Sequence, residues 1–256
     1  MLPSEVERCF GRIPAEAAIC YRDLAGRHQW GTNHEQDFPA ASVIKVAIMV
    51  ELFRRVEAGK AHLDERVEIP PERLVGGAGV LFELDPGLRL SLGDLCRLMI
   101  VVSDNTASNL LIDYLGGLEV MTAAMGEMGL SARLGRYFME PASGTRDNRM
   151  TCADAASLLL DLRGGQLLNP GLTALALGVL ERQQYREKIP QRLPPEVVVG
   201  HKTGELEGVR HDAAIVEHRQ PYVLAVFTRN GGHAWEVDEH IALTSRAVYD
   251  WVEQNV

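Results

Sequence analysis

Apolar runs of transmembrane length are missing from this 256-residue chain: even Ser42 to Val56 is interrupted by Lys45, Glu51, Arg54 and Arg55. A soluble protein is expected, with no membrane partner. Clustered Lys and Arg are missing as well, and 26 basic against 35 acidic side chains give a formal net charge of −9. A phosphate-binding surface needs the opposite balance, so nucleic acid is not expected as a partner. The cysteines, Cys9, Cys20, Cys96 and Cys152, are widely scattered and form no C-x-x-C pair. Reduced, buried thiols fit that spacing better than a disulfide framework or a zinc site. His28, His34, His62, His201, His211, His218, His233 and His240 show neither H-x-H nor H-E-x-x-H spacing, which argues against a metallo-hydrolase. No G-x-S-x-G elbow precedes a helix, and Gly76, Gly77 and Gly79 are followed by no P-loop lysine. The α/β-hydrolase route to a nucleophilic serine and phosphate binding are therefore poor fits. Met1 to Phe10 carries Glu5 and Glu7 and lacks the basic-then-apolar pattern of a leader. A cytoplasmic location is expected, or a periplasmic or secreted one where a leader has been removed.

What is present reads as an ordinary globular protein. The hydrophobic fraction of 46% and charged fraction of 24% are close to soluble averages, and residues 1–256 suffice for one large domain or two closely packed lobes. Ala17 to Leu24 and His28 to Gly31 read as two strands joined through Asp23, Ala25 and Gly26. The apolar spacing then predicts helices at 42–58, 91–101, 105–115, 117–128 and 152–163, with Gly59 stopping the first. A further helical stretch around 172–184 precedes strands at 196–203, 212–217 and 222–228, and a helix at about 236–254 closes the chain. Strands at both ends with helices between them predict an α+β fold: one antiparallel sheet covered by helices, plus a helical lobe. The sheet lobe is expected from about 1–41 and 190–256, and the helical lobe from about 42–189. A site is expected in the cleft between them.

Three short motifs carry chemistry. Ser42-Val43-Ile44-Lys45 heads a helix that is apolar almost all round, so Lys45 sits where its ammonium is poorly hydrated and its pKa is pushed down. One turn separates it from Ser42, which lets the amine act as a base toward the hydroxyl. The helix N-terminus also offers a backbone N–H and positive potential to an oxyanion. Taken alone, the same residues also describe an N-cap serine followed by a snorkelling lysine. Ser103-Asp104-Asn105 follows the apolar run Leu98 to Val102, and alone it reads equally as a helix cap. Lys202-Thr203-Gly204 ends the strand through Val197, Val198 and Val199, and alone it reads as a strand terminus turning through Gly204.

Together, and in this order, the three motifs resemble the signature of the class A β-lactamases and penicillin-binding proteins. The likeness covers nearly the whole chain, with Gly77 to Leu81 and Gly208 to Asp212 as supporting segments. It implies a β-lactamase/transpeptidase-like fold with a five-stranded antiparallel sheet. It also implies a serine hydrolase with no metal or organic cofactor, acting as a monomer on a small-molecule β-lactam, ester or amide. By resemblance Ser42 is the nucleophile and Lys45 its proton acceptor. Ser103 passes a proton to the departing nitrogen, Lys202 holds Ser103, and Asn105 binds the substrate side-chain amide and Lys45. Thr203 and Arg210 receive the substrate carboxylate, and the backbone N–H groups of Ser42 and Glu205 form the oxyanion hole. The family's omega loop corresponds to Arg136 to Asp147, whose Glu140-Pro141 resembles the deacylating glutamate and its proline. Gly144 stands where an asparagine is expected, and the loop is shorter than the family's. A cytosolic carboxylesterase or amidase, a DD-peptidase-like enzyme, and a covalent sensor without turnover are the other readings of the same motifs.

Overall fold

The computed structural model describes residues 2–85, 87–144 and 146–255; Met1 and Thr145, which fall in the N-terminal and loop stretches read above, lie outside the described residues. Strands β1 (Glu16–Asp23) and β2 (Gln29–Thr32) form the expected hairpin. Two short strands, β3 (Asp37–Pro39) and β6 (Arg149–Thr151), pair with each other, as do β4 (Arg66–Glu68) and β5 (Arg89–Ser91). Strands β7 (Val199–Leu206), β8 (Val209–Val216) and β9 (Tyr222–Arg229) complete an antiparallel five-stranded sheet in the order β2-β1-β9-β8-β7.

Successive side chains on a strand point to opposite faces, and here both faces are covered. Ala18, Cys20, Ala213, Ile215, Val223, Ala225 and Phe227 share one apolar core with the central helices. Ile19, Tyr21, Ala214, Val216, Tyr222, Leu224 and Val226 share the other with α1 (Ser4–Phe10) and α8 (Ala234–Asn255). That two-sided burial explains why these strands read as continuous apolar runs. Helix α6 (Cys152–Arg163) lies against β1, β8 and β9 and begins in a capping box between Thr151 and Asp154.

Helix α2 (Lys45–Glu57) runs through the core, with every residue from Lys45 to Phe53 buried, as its near-uniform apolar sequence requires. Ser42 lies just before it in a single 3₁₀ turn, Ala41–Ile44. Gly59 follows α2 with φ +67°, the left-handed conformation of a helix stop. Helices α3 (Leu92–Val101), α4 (Asn105–Tyr114), α5 (Leu118–Glu127) and α7 (Pro170–Leu180) follow the predicted stretches. α7 starts and stops earlier than its apolar spacing indicates, because Pro170 takes the first helical position and Gln183 leaves the helix to donate to Ile100 O.

One expectation about β7 is corrected. Lys202-Thr203-Gly204 does not end the strand, because Glu205 and Leu206 continue the pairing opposite Arg210 and Val209. The chain reverses instead at Gly208, whose φ is +66°.

Candidate active site

The three motifs converge on one cavity of about 530 Å³. Ser42, Ser103, Asn105, Glu140, Thr203 and Glu205 line it, while Lys45 and Lys202 are fully buried. Strand β7 is an edge of the sheet, and it packs against the turn that carries Ser42. The approach is close at Gly204, where a Cβ would stand 3.0 Å from Ala41 Cβ, 3.1 Å from Val43 Cγ2 and 3.2 Å from Ser42 N. Only a residue without a side chain lets β7 and the Ser42 backbone lie this near each other. Ala41 and Ser103, on two sides of the cavity, hold φ values of +44° and +57°. Such conformations are costly for residues with a Cβ and cluster at functional sites.

Lys45 Nζ donates to Ser103 O at 2.7 Å, Asn105 Oδ1 at 2.8 Å and Ser103 Oγ at 3.2 Å. The Phe138 ring covers it, its centroid 4.4 Å away. Burial, then the neighbouring Lys202 cation, push the Lys45 pKa well below that of an ordinary lysine. Lys202 Nζ donates to Thr203 O at 2.8 Å, so the hydrogen bond reaching Ser103 Oγ comes from Lys45. Burial lowers the Lys202 pKa to about 7, against the opposing pull of Asp212. The site thus holds two amines that give up their protons more readily than an ordinary lysine, one of them a helical turn from a serine hydroxyl. Such a pair can activate a nucleophile without an imidazole.

Asp104 shows how the middle motif is fixed. It caps α4 through Ala107 N at 2.9 Å, and its other oxygen accepts from Val80 N at 2.7 Å and Leu81 N at 2.9 Å. Gly79, at φ +96°, lies so close that a Cβ would overlap the Asp104 carboxylate. Asn105 adds bonds from its backbone N to Ala78 O at 3.1 Å and from Nδ2 to Gly76 O at 2.9 Å. The cap reading of Ser103-Asp104-Asn105 and the functional reading are therefore both realised, by different atoms of one segment.

Glu140 and Arg210 are placed differently from the other predicted residues. Glu140 is exposed, and its carboxylate accepts from Tyr137 N at 3.1 Å while Arg136 Nη1 donates to its carbonyl at 2.7 Å. The expected Arg136–Asp147 ion pair closes the loop at 3.0 Å. The residue turned toward Lys45 is Phe138, clamped by Asn109, which donates to Phe138 O at 3.1 Å and accepts from Phe138 N at 2.9 Å. Arg210 does not line the cavity; it forms a two-pronged ion pair with Asp238, and its third nitrogen lies 3.2 Å from Glu205 Oε2.

Asn109 and Lys188 escaped the sequence reading. Asn109 lies six residues beyond Ser103, but its partner is 29 positions away in the chain. Lys188 is fully buried with Nζ 2.7 Å from Glu205 Oε1, and nothing in its local sequence distinguishes it from a surface lysine.

Residues 2–252 match the model of the beta-lactamase enzyme family. Beta-lactamase CTX-M-25 of Escherichia coli is 30% identical over 227 residues, covering 84% of this chain and 77% of that protein. Among solved structures, the beta-lactamase from Sphaerobacter thermophilus superposes with a TM-score of 0.93 at 29% identity, covering all of both chains. PBP-A superposes with a TM-score of 0.88 at 28% identity, covering 99% of this chain and 97% of its own. Family, fold and relatives agree: the chain belongs to the beta-lactamase enzyme family and is a class A β-lactamase-like serine hydrolase.

Proposed function

We propose that the chain opens β-lactam amides by forming an acyl-enzyme on Ser42. Lys45 takes the Ser42 proton as Oγ bonds to the carbonyl carbon. The amide C–N bond then breaks, and its nitrogen collects a proton through Ser103, which Lys45 resupplies. The backbone N–H groups of Ser42 and Glu205, brought together by the close approach at Gly204, bind the oxyanion, each such donor contributing about 3 kcal/mol. Thr203 receives the substrate at the far end of the cavity and Lys202 adds positive potential there. The observation that carries this reading is Lys45: buried, depressed in pKa, one turn from Ser42 and hydrogen-bonded to Ser103 and Asn105 of the second motif.

A second reading concerns the fate of the ester. Hydrolysis needs a base beside the acylated serine, and the group covering Lys45 is the Phe138 ring rather than a carboxylate. Glu140 lines the same cavity but is held at its mouth, one carboxylate oxygen accepting from Tyr137 N–H. A point mutant of PBP-A was solved as an acyl-enzyme complex with penicillin G, and a long-lived adduct of that kind, as in a DD-peptidase-like enzyme or a covalent sensor, fits the Phe138 arrangement.

Intact-mass spectrometry during reaction with a chromogenic cephalosporin tests both readings. An adduct on Ser42 that Ser42→Ala abolishes is expected, with Lys45→Ala slowing its formation on the order of 10²–10⁴-fold. Labelling that survives Ser42→Ala overturns the nucleophile. Fast turnover lost in Glu140→Gln supports Glu140 as the deacylating base, and a stable adduct supports the second reading.

A further inference from the structure

Behind Glu205, which lines the cavity beside Thr203, the protein packs more charge than acylation requires. Lys188 Nζ, with its side chain wholly buried, lies 2.7 Å from Glu205 Oε1 and 3.8 Å from Asp238 Oδ1. Arg210 is paired through two nitrogens with Asp238 and lies 3.2 Å from Glu205 Oε2 through the third. Two cations thus share two carboxylates. Of the carboxylates, Asp238 is nearly buried, whereas the Glu205 side chain is 42% exposed and lines the cavity beside Thr203. Burial opposes ionisation of Glu205, but Lys188 and Arg210 outweigh it and hold the carboxyl below the usual range. The seat that these cations would offer an anionic ligand is already filled by the protein's own carboxylate.

We infer that Glu205 is a specificity-determining residue that turns the cleft away from acyl donors carrying a carboxylate at the Thr203 end and toward uncharged ones. An incoming carboxylate meets the Glu205 charge at close range in a half-buried setting, where repulsion is screened far less than in water. An uncharged donor escapes that repulsion. The rim beside Glu205 suits such a donor, since Leu206 and Met139 line the same cavity and are 44% and 54% exposed. The Glu205 backbone is held by its pairing in β7 opposite Arg210, which lets the backbone N–H bind the oxyanion while the side chain selects substrate charge. The inference rests on acylation at Ser42 and names the substrate class for that step.

Benzylpenicillin and its methyl ester differ in the carboxylate alone. Their second-order rates of adduct formation, measured at fixed ionic strength on the whole chain, give an acid-to-ester ratio. In Glu205→Gln, which keeps the shape and removes the charge, the ratio is expected to rise by about tenfold or more over the unsubstituted protein. Glu205→Ala, which removes the carboxylate altogether, is expected to raise it as well. Any change in folding or in oxyanion binding affects the acid and the ester alike and divides out of the ratio. A ratio that stays within threefold of the original in both variants, or falls, overturns the inference. If the unsubstituted protein neither forms an adduct with nor hydrolyses the acid or the ester, the Ser42 reading falls instead, so the two failures are told apart.

Discussion

A lysine cut off from water keeps its proton only if something replaces the lost hydration. Lys45 has carbonyl, hydroxyl and amide oxygens around it but no carboxylate in contact, and the Lys202 cation works against its charge. Removing that cation therefore raises the Lys45 pKa. As the proposed base for acylation, Lys45 has to be neutral, so the rate is expected to climb with pH along a limb set by that pKa. In Lys202→Met the limb is expected to move to higher pH, on the order of one unit. Rates of adduct formation from pH 5 to 10 measure it. A limb that stays in place or moves down contradicts a base role for Lys45. The opposite case at this scale is His211, whose ring accepts from Thr228 N at 3.0 Å and contacts Pro39 O at 2.7 Å. Burial brings its pKa down to about 4, so it stays neutral within β8, where its ring stacks on Phe227 with centroids 4.1 Å apart.

At the scale of elements, the contact between β7 and the Ser42 turn decides whether the motifs act together. Gly204→Ala places a methyl 3.0–3.2 Å from Ala41, Val43 and Ser42 N, so the turn must give by a few tenths of an ångström. The fold is expected to survive with about 1 kcal/mol lost. Acylation is expected to fall on the order of 10²-fold, because the displaced group is the backbone of Ser42, the proposed nucleophile. Thermal denaturation and adduct formation separate the two effects, and undiminished acylation contradicts the oxyanion geometry. This contact also marks how far the sequence could be read. Apolar periodicity revealed α2 and its buried lysine, since a helix apolar all round has one place to go. Gly204 was read as a turn signal, although its role is a close approach between two elements distant in the chain, with the turn itself at Gly208. Strands β3 to β6 hold three residues each, too few for a period-two pattern to register. Helix α1 buries only Val6, which leaves no periodic signal either. Phe138 and Lys188 were hidden for a related reason: their partners are set by packing, which local spacing does not encode.

Across the whole molecule, the buried titratable groups set where the protein is most stable. His211 at about 4, Lys202 at about 7, the lowered Lys45, and the lowered carboxyls of Glu205 and Asp212 all bind protons less readily folded than unfolded. Stability therefore rises with pH through each window: from about 4 to 6.5 for His211 and from about 7 toward 10.5 for Lys202, at ~1.4 kcal/mol per pH unit for each proton. Other groups work in the reverse direction. Burial raises Cys96 from 9.0 to about 12 and raises Cys20 and Cys152 as well. The unfolded chain releases those protons above pH 9 while the folded chain keeps them, so stability falls again as pH rises further. Three thiols then outweigh the slope that Lys45 and Lys202 still supply. The expected maximum lies near pH ~9, well above neutrality. Urea midpoints between pH 4 and 11, with the thiols kept reduced, measure the profile, and Lys202→Met should flatten its rise between pH 7 and 9. A maximum at or below pH 7 would mean that the two lysines draw compensating charge from the cleft, and that neither is held neutral for chemistry.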